Sequence, residues 1–522
     1  AYFVRRARTR AHRTVSSFKV PATFGIPADC RKEDYKDMRQ DILGPLIRQH
    51  IPVVPDGSRK NLLAAFDKRC NFYSAARLPL DYLVSNAELL HAVAPDAWDP
   101  LVYDRELFES WNSQFDSAKQ ARHLKAYGKI SDATLRDFTD KEIFVKVEAL
   151  LKRNDPDWAP RIIYQSTDLH NVLLGPVMWR CCKRMFSAFK QDTLSDVQRM
   201  GAYAEDTPAL VAHITANSQP GCIYLESDFS SNDMTQVKDV HMLEVAWLER
   251  FGAPKWLTAL MLVANSFRVS SRKHRVKASI ENQLPTGAQS TTFRNTMWNL
   301  TLNYVFCQRT GARGSVLALG DDMLMRLDNP VFKRLRDYRR LYENVCRRAH
   351  MRAKVFCHSF LEECSFLSKH FVSLDSGSFV MVPFLGKAVA RFNVRASSNQ
   401  AVSDEAYLAG KSLSYAYEFR FCPGLRDKFL KRFKSLYDGS GDPSLDALGW
   451  NVRGAFLRLG FSGVCASIVN PGIVGRRDDF NRFWHYRYGL TYSDIMDLSD
   501  RFLFGHHDLD VAALGFLCRD FE

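Results

Sequence analysis

The chain has 522 residues, 46% hydrophobic and 25% charged, which is the composition of a folded globular protein and excludes a disordered or low-complexity one. Lys and Arg number 72 against 58 Asp and Glu, a formal net charge of +14, so a polyanion is the expected partner. The 12 cysteines include no Cys-x-x-Cys pair, and no uninterrupted apolar run approaches the roughly 20 residues of a bilayer span, so reduced, mostly buried thiols and no transmembrane segment are expected.

Residues 1–174 read as helices and loops rich in Pro, Asp and Arg, beginning with a basic cluster at Arg5, Arg6, Arg8, Arg10 and Arg13. Toward their end, Phe144-Val-Lys146-Val-Glu148-Ala-Leu-Leu-Lys152-Arg153 and then Pro160-Arg161-Ile-Ile163 bring several cations together. A solvated basic face is the plain reading of such a run. Gly175-Pro176 opens a helical stretch, and Cys222-Ile-Tyr-Leu-Glu-Ser-Asp228 reads as a short strand ending on a carboxylate. Residues 233–251 follow as a helix, stopped by Gly252-Ala-Pro254. Residues 253–284 turn basic and β-prone, as at Phe267-Arg-Val-Ser270, and lead into Thr286-Gly287-Ala-Gln-Ser290-Thr291-Thr-Phe-Arg-Asn295. Residues 317–327 read as strand, Gly-Asp-Asp turn and strand, a hairpin with Asp321 and Asp322 at its tip. Phe332, Leu335, Tyr338, Leu341 and Val345 recur at helical spacing and predict an amphipathic helix over residues 330–345. Met351-Arg-Ala-Lys354 and Glu363-Cys364-Ser-Phe366-Leu-Ser-Lys369 come next, and beyond Phe384 the chain is expected to be mainly helical. There Leu425, Phe429, Leu430, Phe433, Leu436 and Tyr437 form an apolar face opposite Lys428, Lys431, Arg432 and Lys434.

The carboxylates carry the chemistry. If the strand end and the hairpin tip are neighbours, Asp228 and Asp321, with Asp322 in support, make a hard-oxygen site of the kind Mg²⁺ prefers, with positions left for substrate phosphates. Two ions roughly 3.5–4 Å apart in such a site activate an attacking 3′-hydroxyl and stabilise the leaving pyrophosphate. Each piece alone is ordinary, because Gly-Asp-Asp is a common turn and an Asp after a strand often caps a helix. Together, and in this order, they point to nucleotidyl transfer. Cys181 and Cys182 are adjacent and so are poor partners for one tetrahedral ion, and His358 with Cys364 gives only weak evidence of zinc.

Asp228-Phe-Ser-Ser-Asn-Asp233, the Thr286 to Asn295 segment and Gly320-Asp321-Asp322 stand in the order of motifs A, B and C of viral RNA-dependent RNA polymerases. The chain resembles positive-strand RNA virus polymerases, nearest the nodavirus, tombusvirus, tetravirus and alphavirus-like grouping, over residues 144–391. It departs from that pattern at Asn232, where motif A normally has an aromatic, and at Thr286, which replaces the usual Ser and keeps the hydroxyl. The resemblance implies an α+β right-hand fold. Residues 1–174 would form an N-terminal extension and fingers, 175–252 and 285–383 a palm of antiparallel sheet with flanking helices, 253–284 a fingers insertion, and 384–522 a mainly helical thumb. It also implies an RNA-directed RNA polymerase using Mg²⁺, with Mn²⁺ able to substitute. The partners would be template and product RNA, nucleoside triphosphates, and other viral or host replication factors. The setting would be the host cytoplasm, in membrane-associated replication complexes held by partners, or a virion.

Residue roles follow from the same resemblance. Lys146, Lys152 and Arg161 match the basic motif that neutralises the triphosphate, while Asp233 and Asn295 would read the ribose 2′-hydroxyl with Thr291 or Ser290 in support. Gly287 would contact RNA, Lys354 would protonate pyrophosphate, and Lys369 would reach backbone phosphate from the primer-gripping motif. Lys428, Lys431 and Arg432 are expected to track duplex phosphates. A reverse transcriptase would carry a bulky aromatic near Asp233 and commonly Met-Asp-Asp at the hairpin, and neither occurs. A non-catalytic viral RNA-binding protein would account for the charge but not for the ordered motifs. The chain begins Ala1-Tyr-Phe-Val without an initiator Met, as expected of a fragment or processed product.

Overall fold

A computed structural model describes residues 41–521 apart from positions 49, 51, 71–75, 152–158, 191–197, 203–205, 231, 397–401, 440–442 and 444–447. The N-terminal arginine cluster and Lys152 lie outside the described residues. The fold is a mixture of helix and sheet divided into two compact units, residues 57–146 with 159–366 in the first, and residues 41–56, 147–151 and 367–521 in the second.

The first unit runs in order through α1 (Leu80–Val93), β1 (Asp140–Val145), β2 (Ile162–Gln165), α2 (Asp168–Lys190), β3 (Gln198–Ala202) and β4 (Ile223–Phe229). It continues with α3 (Lys238–Arg250), β5 (Ser266–Ser271), β6 (Val276–Glu281), α4 (Thr291–Thr310), β7 (Gly314–Leu319) and β8 (Asp322–Leu327), then α5 (Leu335–Arg348), β9 (Ala353–His358) and the short β10 (Ser365–Phe366). Strands β9-β4-β8-β7-β3 make a five-stranded sheet, antiparallel except where β3 joins β7. Strands β2-β1-β5-β6 make a separate four-stranded sheet.

Side chains alternate across a strand, so the pattern of burial divides the larger sheet into two faces. Ile223, Leu225 and Phe229 of β4, Met323, Met325 and Leu327 of β8, and Val355 of β9 join one apolar core. That core also takes in Val240, Trp247 and Leu248 of α3, Phe293, Met297 and Trp298 of α4, and Tyr338 and Tyr342 of α5. The intervening positions point to the opposite face, and these include Glu226, Asp228, Lys354 and His358. Hydrophobic alternation thus decides which carboxylates stand clear of the helices.

Two expected helices start later than their patterns suggest. The predicted helix over residues 233–251 is broken: a single turn at Asn232–Thr235 is followed by extended backbone at Val237 (φ −86°, ψ 167°), and α3 begins only at Lys238. The break coincides with Gln236, which turns its side chain inward and is 1% exposed. The helix predicted over residues 330–345 starts at Leu335, and Phe332 instead donates its amide to the Tyr338 hydroxyl at 2.8 Å. The Gly252 stop stands as expected, with φ 88° just past the end of α3.

The second unit contains the antiparallel pair β11 (Lys369–Ser373) and β12 (Phe379–Pro383), then α6 (Asp404–Glu418), α7 (Pro423–Leu436), α8 (Trp450–Val469), α9 (Arg477–Tyr488) and α10 (Tyr492–Phe504). Its core gathers Phe392, Leu413, Phe419, Leu425, Phe429, Trp484 and Phe502. Phe419 and Phe429 stack at 5.7 Å and 13°. Segments early in sequence enter this unit as two-residue pairings, Asp41–Ile42 with Val394–Arg395 and Pro52–Val53 with Leu150–Leu151. Among the described residues Asn451–Val469 is the one helix with the length and hydropathy of a span, 22% of it buried, but Arg453 and Arg458 interrupt its apolar run, so the expectation of no uninterrupted run near 20 residues stands. The helical backbone breaks within it at Gly460 (φ 71°, ψ 175°), leaving two halves that are each shorter than the roughly 20 residues a crossing requires.

Trp247 is fully buried where α3 meets α1 and α2, stacks on Phe189 at 5.9 Å and donates its indole N–H to Asn86 Oδ1 at 3.1 Å. Trp247→Ala should destabilise the first unit by about 3–5 kcal/mol through cavity formation and loss of that bond. Thermal unfolding monitored by circular dichroism measures it, and an unchanged midpoint would contradict this packing.

Candidate active site

Strand β4 ends at the site. In the β9-β4 register Lys354 lies opposite Asp228, and in the β4-β8 register Ser227 lies opposite Met323, so the next rung brings Asp228 opposite Asp322. Lys354, Asp228 and Asp322 therefore occupy one row across three strands. Asp321 sits one residue earlier, in the two-residue loop closing β7 onto β8, where Leu319 faces Asp322. Gly320, at φ 62°, takes the first loop position, as a two-residue II′ hairpin requires.

Helix α4 fixes that loop from beneath. Thr296 Oγ1 accepts the Gly320 amide at 2.8 Å, and Asn299 Nδ2 donates to the carbonyls of Gly320 and Asp322, each at 3.2 Å. The same helix holds Asp233, whose two carboxylate oxygens accept from Asn295 Nδ2 at 2.8 Å and from Thr286 Oγ1 at 2.7 Å. Asn295 Oδ1 accepts from Gln236 Nε2 at 2.7 Å, and Gln236 Oε1 accepts from Arg294 Nε at 2.7 Å. Arg294 is 1% exposed and lies 3.5 Å from the equally buried Glu244. Burial raises the Glu244 carboxyl against the lowering charge of Arg294, and burial with the Arg294 charge drives the His241 imidazole down to about 3. His241 is thus neutral, and its Nδ1 faces Arg294 at 3.1 Å.

At the hairpin tip Asp321 is exposed as a residue, yet its carboxyl sits among protein groups. Desolvation raises it above the usual carboxylate range, the charges of Asp233 and Asp228 add to the rise, and Arg161 opposes them. This mutual effect places Asp228, Asp233, Asp321 and Arg161 in one electrostatic neighbourhood. Three hard-oxygen donors crowded by like charge are the donor set a divalent cation fits, and Asp228, Asp321 and Asp322 are the residues that could hold it.

The remaining predicted site residues divide by location. Lys146 ends the β1 edge, its amide bonded to the Arg161 carbonyl at 2.8 Å, so both cations share one sheet end. Gly287 adopts φ 92° in the turn before α4, and Thr286 accepts the Tyr164 amide there at 3.4 Å. Ser290 is 7% exposed and lies beside Glu244, which turns it inward; the Thr291 hydroxyl is buried without a hydrogen bond. Lys354 is exposed and lies on strand β9.

In the second unit the expected phosphate contacts are partly committed elsewhere. Lys369 is 8% exposed and paired with Glu418, the last residue of α6, at 2.5 Å. Lys428 pairs with Asp500 of α10, and Lys431 and Arg432 lie over the Phe504 ring at 5.3 and 5.7 Å. The basic face of α7 is therefore partly covered by α10.

Thr296, Asn299, Gln236, Arg294 and Glu244 escaped the motif reading. One signal was present: Asn295, Asn299 and Asn303 recur every four residues of α4 beside the buried apolar Phe293, Met297, Trp298, Leu300 and Leu302, and all three are buried at 6%, 1% and 0%. A buried amide stripe has to find partners, and here it finds the carboxylate and the hairpin.

Residues 28–420 match the family described as RNA dependent RNA polymerase, and the chain belongs to that family. Enzymes of this kind generally use divalent metal ions. Over 300 residues the chain is 24% identical to polyprotein P1234 of Semliki forest virus, a match that takes in 54% of this chain and 12% of that polyprotein. The chain thus spans a small part of that relative's length.

Arg294→Met would leave Glu244 buried without its cation, and should cost about 3–5 kcal/mol of stability, whereas Arg294→Met with Glu244→Met should recover most of it. Denaturant unfolding of both variants checks this, and equal losses in the two would remove the pair from the account.

Proposed function

We propose that the chain is the catalytic part of a viral replicase, extending an RNA 3′ end from nucleoside triphosphates on an RNA template. The observation that carries this reading is the row Lys354-Asp228-Asp322 beside Asp321, with Asp233 held by Asn295 and Thr286 at its flank. Asp228, Asp321 and Asp322 would hold Mg²⁺, with Mn²⁺ able to substitute, and the ion would supply activation of the 3′-hydroxyl and charge neutralisation at the leaving pyrophosphate. Asp228 and Asp321 orient that chemistry by holding carboxylates at fixed positions, and Asp322 assists from the adjacent strand. Arg161 and Lys146, with Lys152, grip the triphosphate, where arginine provides a fork to phosphate oxygens. Asp233 keeps acceptor capacity beyond its two bonds, so it and Asn295 recognise the 2′-hydroxyl. Lys354, one strand from Asp228, donates a proton to the departing pyrophosphate.

In this reading the five-stranded sheet with α3, α4 and α5 is the palm, the four-stranded sheet belongs to the fingers, and the helices of the second unit form the thumb. Its boundaries follow residues 1–174, 175–252, 253–284, 285–383 and 384–522. Gly287 in the first unit contacts template or product RNA, Lys428, Lys431 and Arg432 of the second unit contact RNA phosphates, and viral or host factors bring the enzyme to membrane-associated replication complexes in the cytoplasm.

Asp228→Asn and Asp321→Asn should each lower nucleotide incorporation on a homopolymer RNA template by about 10³-fold, since single electrostatic groups in such sites are commonly worth roughly 10²–10³. RNA affinity, read by filter binding, should hold. Near-normal synthesis by either variant would rule out the assignment.

Sugar choice gives a second test. Asn295→Ala should impair ribonucleotide more than deoxyribonucleotide incorporation, because only the former loses a hydrogen bond worth about 0.5–1.5 kcal/mol. The ratio of the two kcat/KM values reports it. A wild-type enzyme that prefers deoxyribonucleotides would support a reverse transcriptase instead.

A further inference from the structure

We propose that Glu226, His358 and Cys364 form a second metal site, selective for a zinc-like ion, that fastens the segment leading into β10 onto the face of the five-stranded sheet that carries Asp228. It does not depend on the polymerase reading. The ligand atoms of the three residues all lie within 4.8 Å of one another. They come from three separate elements: Glu226 from the middle of β4, His358 from the end of β9, and Cys364 from the turn before β10. Sheet register sets the first two on the same face, since Glu226 is opposite Phe356 and Tyr224 is opposite His358.

Three observations favour an ion over an ordinary ion pair. His358 Nε2 is buried and makes no hydrogen bond, although Glu226 Oε2 lies 3.8 Å away. A buried ring nitrogen without a partner is costly, and a metal bond satisfies it. The Glu226 carboxylate is already oriented, because it accepts the Ser365 amide and, at 3.3 Å, the Ser365 hydroxyl. Outer bonds of that kind set the direction of metal ligands. Cys364 is fully buried, with its Sγ 3.5 Å from the Phe360 carbonyl, which fixes the thiol beside the pair.

The donor set names the ion. One thiolate, one imidazole and one carboxylate suit zinc and exclude Mg²⁺ and Ca²⁺, which take oxygen ligands. Bonds of about 2.0–2.3 Å to a tetrahedral ion put ligand atoms roughly 3.3–3.8 Å apart, so the observed cluster closes around zinc with small side-chain rotations. Glu226 precedes Asp228 by two residues on the same strand face, about 6–7 Å along β4. The ion would therefore brace the strand that carries the first carboxylate of the candidate active site.

The test uses the full chain, produced with zinc and dialysed into Mg²⁺ buffer. Elemental analysis should find about one zinc per chain, a stoichiometry expected of a structural site. Glu226→Gln, His358→Ala and Cys364→Ser should each lose that zinc, while Asp321→Asn should retain it. Cobalt(II) in place of zinc should give a thiolate charge-transfer band that Cys364→Ser abolishes. To separate ligand loss from misfolding, zinc added to the chelator-treated wild type should raise its unfolding midpoint, with no rise in His358→Ala of matching circular dichroism. A wild-type chain that takes up no zinc, or wild-type zinc content in all three ligand variants, would overturn the site.

Discussion

Helix α4 ties together, through its side chains, segments that lie far apart in the chain. Through Asn295 it holds Asp233, through Thr296 and Asn299 it holds the Gly320-Asp321 loop, and through Arg294 it reaches Gln236 and Glu244. A made bond of this kind contributes only about 0.5–1.5 kcal/mol, but a buried group left unpaired costs about 1–3 kcal/mol. The network therefore resists partial rearrangement, and the relative placement of Asp228, Asp233 and Asp321 inherits that stiffness.

Much of this was legible from short-range pattern. The hairpin at residues 317–327 follows from a Gly-Asp-Asp turn between apolar runs, and its observed register closes with Leu319 opposite Asp322. Strand β4 follows from alternation that ends on Asp228. What sequence withheld were the pairings across long separations: nothing local says that Arg294 meets Glu244, 50 positions earlier, or that Lys369 meets Glu418. The break at Gln236 was hidden for the same reason, because its side chain is drawn inward by Asn295 and Arg294. Local helical periodicity carries no record of that pull.

The net charge of +14 also means less at the surface than it does on paper. Arg326 is 1% exposed and spends its guanidinium on the Ile214 and Ala216 carbonyls and on Asp328. Lys411 donates to the carbonyls of Arg391, Phe392 and Val394 at 2.7, 2.9 and 2.7 Å, and burial lowers its ammonium to about 7. Such cations act as internal cross-braces. A map of the RNA footprint has to start from the exposed remainder, not from the Lys and Arg count.

The strict two-face division of β4 has an evolutionary corollary. Leu225 and Phe229 point to the helices while Glu226 and Asp228 point away, so losing or gaining one residue between Ile223 and Asp228 would exchange the two sets and drive carboxylates into the apolar core. Substitution can drift through this strand one position at a time, but changes of length cannot. Length conservation here, more than residue identity, is what distant relatives of this chain should share.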